Sequence, residues 1–397
     1  MSKLSHRLLW VGVNVCRLLL ALAFLFAGTV KLIDPRGTQY KIEDYGQAFA
    51  LSDFLPLFVP LCLAVVLAMT EFMLGINLLF GIRRRSTALG VLVFMAVMTP
   101  FTLYLALTNP VTDCGCFGDA VQLTNWQTFF KNALLLSAAL LIAWRPRWMK
   151  RVITERNQWT VSLYSIAFGL VLAAYSIYRL PLLDFRPYRI GVDLAQAVEE
   201  GWNGRSAYFK YADFGIQSTT GEDLTLTWLQ TPGYKFILAA PYLEVADDAA
   251  MDRLNDLYEY AQEQGYPFLC LTSSVSEEIN RWSDLTGAEY PFAWTDGIVL
   301  KTMIRSNPGL LLLKDGVILN KWANTELPTY EELAAPLHEL KMGQPASKGY
   351  VRRALTLLLW FLIPLSCFTL LDGMWVGSKY YKRYKIRKNN LIKNKEQ

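Results

Sequence analysis

Cys114 and Cys116 stand two apart in the run Asp113-Cys114-Gly115-Cys116-Phe117-Gly118-Asp119, and their type and spacing suit thiol chemistry. A thiolate is a nucleophile, and a pair of thiols that can close on one another exchanges two electrons through a mixed disulfide. Gly115 lets the backbone take the tight turn that brings the sulfurs together. A bridge over one residue is far from relaxed disulfide geometry and is easily reduced, so the spacing favours exchange over stapling. The flanking Asp113 and Asp119 oppose a thiolate, and Lys31 or Arg36 is a candidate cation to offset them, with Lys31 the named stabiliser. Two readings stay open: a redox pair, or a turn whose cysteines only shape or fix the loop. Two thiolates also suit copper or zinc, but His6 and His338 are the only histidines and neither lies near the turn. The expectation is no metal site and no bound cofactor.

The turn must be held by a membrane. Of the 397 residues 53% are hydrophobic and 18% charged, too apolar for one soluble globule. Six stretches approach the length of roughly 20 apolar residues that spans hydrocarbon. They cover residues 8–32, 55–82, 87–108, 127–145, 159–178 and 354–377. Basic clusters fall at alternate ends: Lys3, His6 and Arg7; Arg83, Arg84 and Arg85; Arg145, Arg147, Lys150 and Arg151; Lys379, Lys382, Arg383, Lys385, Arg387 and Lys388. All are cytoplasmic if the N-terminus is inside. The net charge of +5 therefore reads as topology and not as a nucleic-acid partner. The first stretch carries Arg17 and runs on to Lys31 and Asp34, so it reads as an uncleaved helix. This orientation puts residues 33–54, 109–126 and about 180–350 outside, in the oxidising periplasm of a bacterial inner membrane.

Two charges lie inside the spans. Counted from the outer ends at Lys31 and Pro56, Arg17 and Glu71 come out equally deep, roughly 21–23 Å, which suggests a pair. Intramembrane ionisable groups are costly and are functional candidates; an ion pair that locks two helices is the plainer reading.

From residue 232 strand and helix patterns alternate. Strands are expected at 234–240, 267–272 and 292–295, helices at 247–264, 276–286 and 297–304, then a hairpin at 309–322 turning on Asp315-Gly316, and a last helix at 329–342. Upstream, 208–214 and 224–229 read as strands. The order resembles the thioredoxin fold, with Pro308 where that fold keeps its cis-proline. The stretch that would hold Cys-x-x-Cys reads Ala240-Pro241-Tyr242-Leu243-Glu244, and the domain's one cysteine, Cys270, lies in an apolar strand. Such a domain runs no dithiol chemistry alone, and Tyr242 and Pro308 are its candidate binding residues.

Phe26-Ala27-Gly28-Thr29-Val30-Lys31-Leu32-Ile33-Asp34-Pro35, Glu71 with Gly75 and Gly81, and Cys114-Gly115-Cys116-Phe117-Gly118 together resemble the DoxX-like superfamily, most closely the branch of the methylamine utilisation protein MauE, over about residues 8–146. The resemblance implies a four-helix membrane protein that supports periplasmic maturation of redox enzymes through disulfide formation, with Cys114 and Cys116 as the redox pair. The fused domain without active-site cysteines departs from that pattern, and methylamine metabolism is not expected to be this chain's own task.

The expected architecture is a polytopic α-helical membrane protein with an α/β thioredoxin-like soluble domain: residues 1–150 the four-helix domain, 151–179 a fifth span, 180–350 the periplasmic domain, and 351–397 a sixth span with a basic tail. The expected function is a thiol-disulfide module that exchanges with a periplasmic client and passes electrons to a quinone or another membrane carrier. The alternatives are a non-catalytic anchored scaffold that binds a protein or peptide, and a quinone-linked oxidoreductase subunit that uses Glu71 for protons.

Overall fold

The computed structural model describes residues 3–50, 56, 58–111, 114–345 and 349–393. Asp113 lies outside them, as do the side chains of Lys3, Arg383, Lys385, Arg387 and Lys388. The chain divides into two units, residues 1–174 with 354–397, and residues 175–353.

The first unit is helical. Helix α1 spans Lys3–Ile33 and is followed at once by α2, Pro35–Ala48, within the segment 33–54 expected to lie outside. Asp34 caps α2 by accepting from the Gly37 amide at 2.9 Å, and Pro35 occupies its first turn, where a missing N–H costs nothing. Helix α3, Val59–Phe80, ends on Gly81 at φ 67°, a left-handed cap that glycine adopts without strain. Helix α4 spans Arg84–Thr108, and α5, Asn125–Trp144, opens on a Thr124–Gln127 capping box. Helix α6 covers Gln158–Tyr178, and the chain closes on a helix over Gly349–Lys393. Among the described residues six helices are long and apolar enough to cross a membrane: α1, α3, α4, α5, α6 and the last.

Two glycines set the register of α1 on α3. A Cβ at Gly28 would collide with the backbone of Phe72, and one at Gly75 would come within 2.7 Å of Leu25. These are the close backbone approaches that small residues permit between membrane helices. Continued along the antiparallel pair, that register puts Arg17 level with Arg83, beyond the end of α3 and twelve residues after Glu71. Equal depth from the outer ends therefore fails as a guide, and Arg17 and Glu71 do not pair. Arg17 donates instead to the Lys150 carbonyl, and Glu71 receives Lys31.

Around Arg17 the basic residues gather at one end of the bundle. Arg84 Nη1 donates to the Arg147 and Met149 carbonyls at 2.8 and 2.9 Å, Asn14 bonds Trp148 and Lys150, and Arg83 stands over the Trp159 ring. Asp372 of the last helix accepts from Thr154 at the same connection. The cysteine turn lies at the other end, beside the last turn of α1.

The second unit is an α/β layer. Helix α7, Leu194–Trp202, precedes β1, Gln217–Ser218; α8, Thr225–Gln230; and β2, Tyr234–Ala240. There follow α9, Met251–Glu263; β3, Phe268–Thr272; α10, Ser276–Thr286; β4, Phe292–Trp294; and α11, Gly297–Met303. The β5–β6 hairpin, Gly309–Lys314 and Val317–Ala323, turns on Asp315 at φ 49° and Gly316 at φ 83°. The last helix is α12. Strand order is β1-β4-β3-β2-β5-β6, with β2, β3 and β4 parallel and β5 antiparallel to β2. Both sheet faces are covered: Phe236, Leu238 and Cys270 pack in one core with α9, and Ile237, Leu269 and Leu271 in another with α7 and α11. Continuous apolar runs in β2 and β3 follow from burial on both faces.

Three expected elements differ. Residues 206–211 form a 3₁₀ turn and 225–230 a short helix, not strands. Asp223 Oδ1 accepts from both the amide and the hydroxyl of Thr225, a local turn at the entry to that helix that competes with the β-like composition. The last expected helix, at 329–342, is two 3₁₀ turns, Tyr330–Leu333 and Lys341–Gly343, with Pro336 between them to break it.

A buried charge cluster closes α11. Arg186, Lys321 and Arg305 donate to the Thr302, Met303 and Lys301 carbonyls, and Asp184 accepts from Arg186 at 2.7 Å and Lys321 at 3.1 Å. Burial opposes ionisation of Asp184, yet Lys321 and Arg186 hold its carboxyl well below the usual range. A depressed carboxylate contributes stability that is present above the unfolded value near 4 and is lost as pH falls below it. Asp184→Asn should cost about 3–5 kcal/mol at pH 7, because two buried cations lose their partner, and should flatten the acid side of the profile. Hydrogen exchange across β5 and β6 from pH 3 to 7 reads both effects, and equal acid sensitivity in the variant would refute the assignment.

Candidate functional site

The cysteine turn is built by five helices and one loop. Asn125, at the start of α5, donates to Asn109 Oδ1 at 2.7 Å and to the Val111 carbonyl at 2.8 Å, and so fixes where the loop leaves α4. Gly115 at φ 64° turns the chain back, and a Cβ there would press on Lys41 of α2 at 3.1 Å. The glycine thus meets a conformational and a steric demand together. Tyr45 of α2 donates its hydroxyl to the Cys114 carbonyl at 2.9 Å. Lys31, in the last turn of α1, donates to the Cys116 carbonyl at 2.7 Å and to Glu71 Oε2 at 2.6 Å. Both cysteine carbonyls are therefore pinned from outside the loop.

The two sulfurs lie 2.8 Å apart as free thiols, Cys114 buried and Cys116 half-buried. Their acidities diverge. The hydrogen bond from the Cys114 thiol is the chief reason that Cys116 falls to about 7, with Lys131 and Lys31 helping and burial and Glu71 opposing. The same hydrogen bond, with burial, drives Cys114 well above the ordinary thiol range. The reduced pair therefore ionises first at Cys116, and as pH rises through about 7 it comes to hold one thiolate and one thiol.

Beside Cys116 the bundle lines a half-open cavity of about 30 Å³, room for roughly two waters. Glu71, Cys116, Lys131 and Asn132 supply its polar lining, and Phe24, Phe94 and Met98 belong to its apolar lining. Lys131 holds its ammonium 4.0 Å from the centre of the Phe117 ring. Asn132 donates to Thr102 Oγ1 at 3.2 Å across the α4–α5 contact. Lys131 escaped the sequence reading because a lone lysine one turn into an apolar helix looks like an interfacial residue; its spacing from Trp126 and Phe130 gave no other sign. Tyr45 escaped because residues 33–54 were read only as a segment outside the membrane. Lys31 is present as expected, but its ammonium is engaged by Glu71 and by the backbone. Among the described residues no group of three or more His, Cys, Asp or Glu is placed to hold a metal ion.

In the second unit Tyr242 follows β2, and Pro308 follows a cis peptide bond just before β5. The two are joined by Asn307, whose Nδ2 donates to the Tyr242 carbonyl at 2.8 Å. Tyr242 is half-buried beneath Lys301, 4.9 Å from its ring centre, while Pro308 is buried. Cys270 is wholly enclosed in β3 and burial pushes its thiol far up, so it offers no nucleophile.

Neither the curated proteins nor the solved structures give a match to the chain. A family model described as Methylamine utilisation protein MauE matches residues 7–145, which makes the α1–α5 bundle, with its cysteine turn, the MauE-like part of this membrane protein.

Proposed function

We propose that the protein is a thiol-disulfide exchange module of a bacterial inner membrane, with the Cys114-Gly115-Cys116 turn facing the periplasm. The observation that carries this reading is the pair of free thiols at 2.8 Å, one depressed to about 7 and one raised, in a turn whose two carbonyls are pinned by Tyr45 and Lys31. A client dithiol is oxidised to a disulfide while the pair takes up the two electrons. Electrons then leave to a quinone: quinone takes two electrons and two protons to quinol as the pair closes. The second unit, read as thioredoxin-like from its β3-β2-β5-β6 order and its proline before β5, holds the client. The name of the matched family ties its members to methylamine utilisation; that match ends at residue 145, and the α/β unit beyond it argues for a different client here.

The test is the redox state of Cys114 and Cys116 in intact cells, trapped with a mass-tagging alkylator before and after a mild reductant pulse. Both forms should appear, with the oxidised form returning within minutes of reductant removal. A pair locked in one form throughout would refute the exchange reading. It would favour a second one, in which the α/β unit binds a partner around Tyr242 and the bundle anchors it. That alternative is supported by the sealed Cys270 and by exposed Val245 and Val275, which follow β2 and β3, and Ile298 in the first turn of α11.

A further inference from the structure

We propose that Lys131 is the cation that receives the negative charge of the Cys116 sulfur when the Cys114–Cys116 bond opens, so that a client thiolate attacks Cys114 and Cys116 is the group that leaves. This assignment of roles rests on the exchange reading above.

The charged and titratable groups around Cys116 come from every element that packs on the turn. Helix α1 supplies Lys31, α2 supplies Lys41 and Tyr45, α3 supplies Glu71, α5 supplies Lys131, and the loop supplies Cys114 and Asp119. Helix α4 contributes Phe94, Met95 and Met98, none of which titrates. Lys31 and Glu71 neutralise one another at 2.6 Å, and Lys31 is also bonded to the Cys116 carbonyl. Lys131 makes no ion pair among the described residues; its ammonium rests on the Phe117 ring, a contact of about 1 kcal/mol that a full anion outcompetes. It lines the same water-sized cavity as Cys116, so one bridging water or a small swing of the side chain brings charge to charge.

The polarity of the exchange follows. In a disulfide the sulfur that leaves is the one whose thiolate is better stabilised, and the attacked sulfur is its partner. A client thiolate bonds to Cys114 Sγ, the Cys114–Cys116 bond breaks, and its electron pair stays on Cys116 facing Lys131. The client's second thiolate then attacks the client sulfur of the mixed disulfide and forms the client disulfide. Cys114 departs with that electron pair and takes a proton from water, which leaves the thiol and thiolate of the resting pair.

The test uses the full chain, reduced, in detergent. Alkylation of Cys116 by iodoacetamide is followed against pH by mass spectrometry. The unmodified protein should show a midpoint near 7. Lys131→Met should raise it by about one unit, a roughly fivefold slower reaction at pH 7, and Lys131→Arg should stay within about twofold. Should the Met variant not fold, Lys131→Gln, which keeps a polar head, replaces it. A folded neutral variant whose profile overlays the parent's overturns the charge assignment, whether or not the pair cycles in cells. For the direction of attack, Cys116→Ser should accumulate a mixed disulfide through Cys114 with a reducible client, and Cys114→Ser should not. Equal accumulation in both overturns that direction.

Discussion

Replacing Glu71 with Leu is expected to cost the bundle about 3–5 kcal/mol, because it strands the Lys31 ammonium where both partners are now at most 5% exposed. The carboxylate has no substitute: Lys31 sits between Glu71 and a carbonyl, and a carbonyl dipole alone does not balance a full charge away from water. Retention of monodisperse protein after graded heating in detergent measures the loss. The companion Lys31→Met with Glu71→Leu should recover most of it, since an apolar pair of similar volume often matches a buried ion pair. The cysteine turn should not recover with it, because the Cys116 carbonyl would still lack its donor. Heat resistance restored with altered Cys116 alkylation is the expected outcome. Full recovery of both would show that Lys31 only locks helices.

Changing Cys114 and Cys116 together to Ser is expected to abolish client oxidation, a loss of at least about a thousandfold, since a hydroxyl can neither form the mixed disulfide nor store two electrons. Stability should change little, because serine is close in size and the turn is pinned through its carbonyls and not its sulfurs. Complementation of a deletion strain, read by the disulfide content of exported proteins, gives the result. Unchanged oxidation would end the exchange reading outright.

The parts of this molecule that depend on local pattern were legible in the chain. Six apolar runs, the Asp315-Gly316 hairpin and the buried strands 234–240 and 268–272 lie where length, turn chemistry and hydrophobic continuity put them. The cysteine turn announced itself by residue type. What stayed hidden was register. Nothing in the order of residues shows that Gly28 and Gly75 let α1 and α3 close on one another at one particular offset, and that offset decides that Glu71 meets Lys31 and not Arg17. Helix α2 was readable from Asp34 and Pro35, but so short a polar helix carries little hydrophobic signal. Its contribution, a tyrosine hydroxyl on a cysteine carbonyl, is a tertiary fact. Lys131 is the same kind of fact: its meaning comes from what shares its cavity.

The α/β unit is an insertion, entered from α6 and left through α12, so the chain goes into the bilayer on both sides of it. A single cut by a protease anywhere within it would release nothing: each fragment keeps a membrane helix, and the severed halves stay together through the sheet. Shedding takes two cuts, one near each junction. Such a unit is permanently retained, whatever it binds is retained with it, and neither leaves the membrane by one proteolytic event.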